Sequence, residues 1–138
     1  MGTCHAGSCD GGTPLQCNDG DFCTDDLCDP ATGCRHPAVT GLRRSTCRVE
    51  ALRALLASGN LGKLSRRLLA QLYRVDQALA HAQAAGRPKK VRSALAKARR
   101  QLRAFILAVH HSARLGGALE RQLVDNARAA MAMARPGA

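Results

Sequence analysis

The reactive groups in the first part of the chain are thiols and carboxylates. Residues 17–34, CNDGDFCTDDLCDPATGC, hold four cysteines and five aspartates in eighteen positions. Thiols at that density form disulfides or bind a soft metal, and carboxylates at that density bind a hard cation or close turns. Only Phe22 and Leu27 are large and apolar in the segment. Crosslinks rather than a hydrophobic core must therefore hold it.

The cysteines are Cys4, Cys9, Cys17, Cys23, Cys28, Cys34 and Cys47. Cys4-HAGS-Cys9-Asp10 repeats in Cys23-TDDL-Cys28-Asp29, which reads as a short repeat with a clipped first copy. A structural zinc site usually offers two ligands separated by two residues, so that both thiolates reach one ion. The tightest spacing here is Cys-x4-Cys, and His5 and His36 complete no usual finger. Disulfides suit the spacing better: in the chain-entropy model, closing a loop of about 15 residues contributes up to about 3 kcal/mol. Cys4, Cys9, Cys17, Cys23, Cys28 and Cys34 are the expected disulfide cysteines. Connectivity stays open, because four cysteines allow three pairings and six allow fifteen. The arrangement expected keeps Cys17, Cys23, Cys28 and Cys34 among themselves and joins Cys4 to Cys9. Cys47 is then a free thiol or bonded to a segment outside the chain.

At these cysteines the chain resembles the slime-mould-type cysteine-rich repeat, with pattern Cys-x-Asp-Gly-x-x-Cys-Thr-x-Asp-x-Cys-x5-Cys. Cys17, Asp19, Gly20, Cys23, Thr24, Asp26, Cys28 and Cys34 fill every position. The resemblance covers about twenty residues and the partial copy before them. It implies an extracellular or cell-surface protein, often with tandem copies, in slime moulds and in myxobacteria-like bacteria, and it implies no enzymatic activity.

Asn18, Asp19, Asp21, Asp25 and Asp26 present hard oxygen ligands at near-alternate spacing, and Gly20 permits a sharp turn. Calcium is the one cofactor candidate they suggest. The competing reading is that Asn-Asp-Gly and Asp-Pro are turn formers whose side chains bond nearby backbone N–H groups. No EF-hand register fits, for lack of a Glu at the twelfth position.

Composition splits the chain. Residues 1–40 carry a net charge of −5, residues 41–138 one of +16. Beyond Cys47, Ala, Leu, Arg and Gln dominate, all good helix formers. A first helix, capped by Ser45 or Thr46 with Glu50 in its first turn, carries Val49, Leu52, Leu55 and Leu56 and stops at Gly59-Asn60. A second runs from about Leu61 to Ala85 with one stripe of Leu61, Leu64, Leu68, Leu72, Val75, Leu79 and Ala82. A third starts at Pro88 and carries Val91, Leu95, Ala98, Leu102, Phe105 and Val109, with Ile106 widening the stripe. A fourth uses Leu119, Leu123, Val124, Ala127 and Met131 and ends before Pro136. The expected fold is a small disulfide-rich irregular module over 1–40, a linker over 41–46, and an all-α antiparallel bundle of about four helices over 47–135.

The tail, with LRALLASGNLG, a Leu-rich helix and LRAFILAV, is similar to the helical module type called FIMAH and, more loosely, FIVAR. That likeness rests on Leu55, Gly59, Leu61, Leu68, Leu72, Phe105, Ile106 and Val109. It implies an appended binding or spacing role, and such modules are usually less basic than this tail.

Lys89, Lys90, Arg92, Lys97, Arg99, Arg100 and Arg103 crowd the third helix. Such a face binds a polyanion or is simply solvated. No aromatic side chains interleave to stack bases, so nucleic acid is not an expected partner. His110 and His111 are adjacent and point about 100° apart, which prevents them from chelating together. His81 is expected on a helix surface, and Tyr73, Phe105, Met131 and Met133 as packing or boundary residues.

No Gly-x-Ser-x-Gly elbow, His-Glu-x-x-His or phosphate-binding Gly loop occurs, so no enzyme is expected. No apolar run reaches the roughly 20 residues of a membrane span. The first ten residues lack a basic n-region and an apolar h-region, so either the protein is intracellular or the chain is a piece of something longer. With the setting that the repeat resemblance implies, the expectation is a fragment of a secreted or surface protein. The functional expectation is a non-enzymatic spacer and interaction module, adhesive in character, whose partner is an extracellular protein or polysaccharide. The alternatives are a polyanion-binding protein using the third helix and a cytosolic zinc-binding adaptor.

Overall fold

The computed structural model describes residues 3–5, 8–10, 16–29, 31–112 and 115–136, the first two segments by their backbone only. The chain divides into two compact units, residues 1–40 and 41–138.

The first unit contains two short antiparallel ribbons. Strand β1 (Thr3–His5) pairs with β2 (Ser8–Asp10), placing Cys4 opposite Cys9. Strand β3 (Leu27–Asp29) pairs with β4 (Gly33–Arg35), placing Cys28 opposite Cys34. The structural counterpart of the Cys4/Cys9 ribbon is therefore Cys28/Cys34, not the Cys23/Cys28 pair that equal spacing suggests. Backbone register, not the number of intervening residues, decides which cysteines face each other. A further bridge joins Thr24 to Ala38, with the Asp25 N–H donating to Pro37 O at 2.8 Å and the Val39 N–H to Cys23 O at 3.0 Å.

The second unit is the expected four-helix bundle: α1 (Arg43–Ser58), α2 (Lys63–Ala84), α3 (Pro88–His110) and α4 (Gly117–Met133). Each helix packs on two others, in the order α1, α2, α3, α4 and back to α1. The core is the predicted set of stripes. Leu52, Leu68, Leu72, Leu79, Leu95, Leu102, Phe105 and Leu123 are among its fully buried side chains. Each such residue contributes about 1.5–3 kcal/mol of transfer free energy. Leu55, Leu61, Leu64, Val91, Ile106, Leu119 and Met131 flank it, partly buried. Tyr73 is exposed, and its hydroxyl accepts from Gln77 Nε2 at 3.1 Å.

Three local expectations change. Helix α1 begins at Arg43, so most of the expected linker is helical. Its N-cap is Leu42, with no side-chain cap, so Ser45 and Thr46 do not cap it. Ser45 lies inside the helix, fully buried, with its Oγ donating to Ala130 O at 3.1 Å. Glu50 stands well past the first turn and pairs with Arg53 at 2.5 Å, while Arg53 also pairs with Asp76 of α2.

Helix α1 ends where expected: the Gly59 N–H donates to Leu55 O at 3.1 Å and Asn60 takes the left-handed conformation, φ 45°. A Cβ at Gly59 would lie 3.1 Å from Leu119 Cδ2, so the end of α1 closes against the start of α4 because this residue has no side chain.

Candidate interaction surfaces

The acidic loop of the repeat is a set of side-chain-to-backbone turns. Asn18 Oδ1 accepts from the Gly20 N–H, Asp19 Oδ1 from the Asp21 N–H, and Asp21 Oδ1 from the Cys23 N–H, each at 2.8 Å. These Asx turns follow from the short polar side chains and from Gly20, whose φ of 74° a side chain would oppose. The Thr24 hydroxyl donates to the Asp19 carboxylate at 3.0 Å. After β3, Asp29 Oδ1 accepts from the Ala31 N–H at 2.8 Å and the Thr32 N–H at 3.2 Å, and Arg35 approaches the same carboxylate at 3.7 Å.

These donors set the charge state. The Asp21 N–H, aided by Thr24 and His36, holds the Asp19 carboxyl below its ordinary value. The N–H groups of Ala31 and Thr32, aided by Arg35, do the same for Asp29.

Of the five residues proposed for calcium, the structure brings Asp19 and Asp26 together, and their third partner is His36. The ligand atoms of these three residues lie within 4.8 Å of one another. His36 Nδ1 is 2.9 Å from Asp26 Oδ1 and 3.4 Å from Asp19 Oδ2, and the Asp19 N–H reaches Asp26 Oδ1 at 3.3 Å. Oxygens of Asn18 and Asp21 already accept backbone protons, so the five do not form one ligand shell. In the sequence His36 is weighed only as a zinc ligand, because it lies ten residues beyond Asp26; the β3–β4 ribbon returns the chain to the loop.

Cys17 and Cys34 form a disulfide across 17 residues, within the repeat as expected. Cys23, Cys28 and Cys47 are also disulfide-bonded, and no free cysteine occurs among the described residues. The expectation of a free or externally bonded thiol at Cys47 is thereby corrected: this residue lies near the start of α1, buried and oxidised. The side chains of Cys4 and Cys9 lie outside the described residues. With Cys17 and Cys34 paired, the oxidised Cys23, Cys28 and Cys47 are an odd number, so the expected scheme, which leaves Cys47 over, is not the one present.

The basic surface spans two helices rather than one. Helices α2 and α3 carry eleven Lys and Arg against one acid, Asp76, which Arg53 holds. None of the seven basic residues of α3 forms an ion pair among the described residues. Lys90 and Lys97 line a cavity of about 440 Å³ near the Gly86 turn, together with His81 of α2. Lys63, Arg67 and His111 line a second, of about 740 Å³, at the other end of the hairpin. Lys89, Arg92, Arg100 and Arg103 are exposed and Arg99 is half-buried, all outside these cavities. The contribution of α2 was legible in the placing of Lys63 and Arg67 one turn apart on one face. His110, by contrast, ties α3 to α4 through Nδ1 and Glu120 Oε1, 2.9 Å apart.

No helix among the described residues is long and apolar enough to cross a membrane. No curated protein and no solved structure matches the chain. One family does, over residues 16–38, the segment of the Cys17–Cys34 bond and the Asx turns; no family match supports the FIMAH-like reading of the helical tail. Over that segment the chain is similar to the family described as the Dictyostelium (slime mold) repeat.

Proposed function

We propose that the chain is a non-enzymatic module of a secreted or cell-surface protein, a spacer and docking element of bacterial type. The observation that carries this reading is the oxidised state of Cys17, Cys23, Cys28, Cys34 and Cys47. Disulfides persist in oxidising compartments and are rare where glutathione keeps thiols reduced. The match to the repeat over residues 16–38 is compatible with the same setting. The zinc-adaptor alternative needs thiolates, and these five sulfurs are in disulfides. The test is labelling of intact producing cells with a membrane-impermeant amine reagent. Labelled protein at the surface, or protein in the medium, supports the reading; recovery only after lysis, with these cysteines reduced, overturns it.

A second reading, polyanion binding, is favoured by the absence of ion pairs at the seven Lys and Arg of α3 among the described residues. Fixed positive charge with no internal counter-charge attracts anions from solution.

A further inference from the structure

The two cavities beside α2 and α3 lie toward opposite ends of one face of the hairpin. On α3 the lining residues include Lys90, Ala94, Lys97, Ala104, Ala108 and His111. They recur at intervals of three, four and seven, which keeps them on one face. On α2 they include Leu64, Arg67, Gln71, Ala78, His81 and Ala85, with the same spacing. From Lys90 to His111 the face runs about 31 Å at 1.5 Å per residue.

Ala78, Ala84, Ala85 and Ala94 line the cavity at the turn and Ala104 and Ala108 the other, so a ligand can lie close to the helices at both ends. The rims are basic at both ends: Lys90 and Lys97 at the turn, Lys63 and Arg67 at the far end, all exposed. Nδ1 of His81 donates to Gln77 O at 2.6 Å, and Nδ1 of His111 to Leu107 O at 2.7 Å, so each ring is fixed with Nε2 uncommitted to the helix. A single small anion fills one end. Only an extended chain with repeated negative charge meets both.

The geometry points to this face as the binding site for a linear acidic polysaccharide, sulfated or uronic, lying along the α2–α3 hairpin. The assignment rests on the polyanion reading and narrows it to a place and a ligand class. Charge complementarity selects a polyanion. The absence of any aromatic side chain among the lining residues removes the stacking platform that single-stranded nucleic acid uses. The disulfides favour an oxidising compartment such as the cell surface.

The test is calorimetry of the intact, oxidised chain with a long heparin oligosaccharide at about 0.15 M salt, the physiological value. One variant carries Lys63→Gln, Arg67→Gln, Lys90→Gln and Lys97→Gln. A charge-matched control carries Arg66→Gln, Arg92→Gln, Arg103→Gln and Arg128→Gln, all exposed positions outside the two cavities. The cavity variant should lose affinity about tenfold or more and show a shallower salt dependence, while the control loses about threefold or less. Circular dichroism of both variants should match the parent. If the parent itself does not bind heparin, the polyanion reading fails. If it binds and the two variants weaken alike, the assignment to this face fails and only diffuse charge remains. Duplex DNA of equal length bound as tightly, with the same loss in the cavity variant, overturns the polysaccharide class. Concentration-dependent self-association abolished by the cavity variant would instead make a second copy's acidic residues 1–40 the occupant.

Discussion

The hydroxyl of Ser45 donates to the backbone carbonyl of Ala130 at 3.1 Å, across 85 residues of sequence and without solvent exposure. The same carbonyl accepts the Ala134 N–H at 3.0 Å, which closes the last turn of α4. One buried oxygen thus joins the first turn of α1 to the end of α4. Arg48 adds a second link one turn further along, with Nη1 3.3 Å from Asn126 Oδ1.

Ser45→Ala removes a buried hydrogen bond while leaving the carbonyl one donor. The expected cost is about 1 kcal/mol. For a unit of this size that lowers the melting temperature by about 4–8 °C, measured by thermal denaturation of the oxidised protein. An unchanged melting temperature would show that the bond contributes nothing net.

Gly59→Ala tests the closure between α1 and α4. The backbone there is helical, with φ −77°, so alanine is conformationally acceptable and even a better helix former. Crowding opposes it: the new methyl would lie 3.1 Å from Leu119 Cδ2, 3.2 Å from Leu55 O and 3.3 Å from Leu61 Cγ. The expected net effect is destabilisation by about 1 kcal/mol. Adding Leu119→Ala should recover part of it, seen as a coupling energy in a double-mutant cycle by denaturant unfolding.

Much of the bundle was legible because its stripes recur by threes and fours, and burial in helices depends on that period. Leu68, Leu72, Val75 and Leu79 in α2, and Leu95, Leu102, Phe105 and Val109 in α3, are buried as the pattern predicts. The start of α1 was not legible, because Leu42 caps it without a side-chain bond and Ser45 is a residue type that usually caps. Its partner Ala130 lies far along the chain, where no local rule reaches. In the repeat, the turns of Asn18, Asp19 and Asp21 followed from residue type. The approach of His36 to Asp19 and Asp26 required the β3–β4 register, and so did the facing of Cys28 and Cys34. The basic character of α3 was plain in sequence. The two cavities needed the pairing of α3 with α2, a tertiary fact.

The core makes a contrast between buried and exposed positions of one helix. Leu102→Ala deletes a fully buried side chain and should cost about 2–5 kcal/mol. Leu107→Ala, at a side chain 58% exposed, should stay within about 0.5 kcal/mol of the parent. Urea unfolding with a common slope checks both; equal effects would contradict the assignment of the α3 core face.

The turn network of the repeat should loosen only in acid. Asp19 and Asp29 have folded-state values below the ordinary 3.8. Their contribution is therefore fully present above that value and is lost as pH falls below it through the lowered folded values. In an NMR titration, the amides of Asp21, Ala31 and Thr32 should keep their hydrogen-bonded shifts at pH 5 and lose them only below about 3.8. Asp19→Asn should remove the acid dependence of the Asp21 amide. A midpoint above the ordinary value would contradict the turn network.

The most direct measurement of the central claim, that sulfur–sulfur bonds hold the repeat and place it outside the reducing cell interior, is differential alkylation of the protein trapped from its native source, read by mass spectrometry. The account predicts that Cys17, Cys23, Cys28, Cys34 and Cys47 are protected until a reductant is added, with Cys17 and Cys34 recovered in one crosslinked peptide pair, and that a chelator changes nothing. Free, alkylated thiols at these positions, together with stoichiometric zinc released by the chelator, would contradict it.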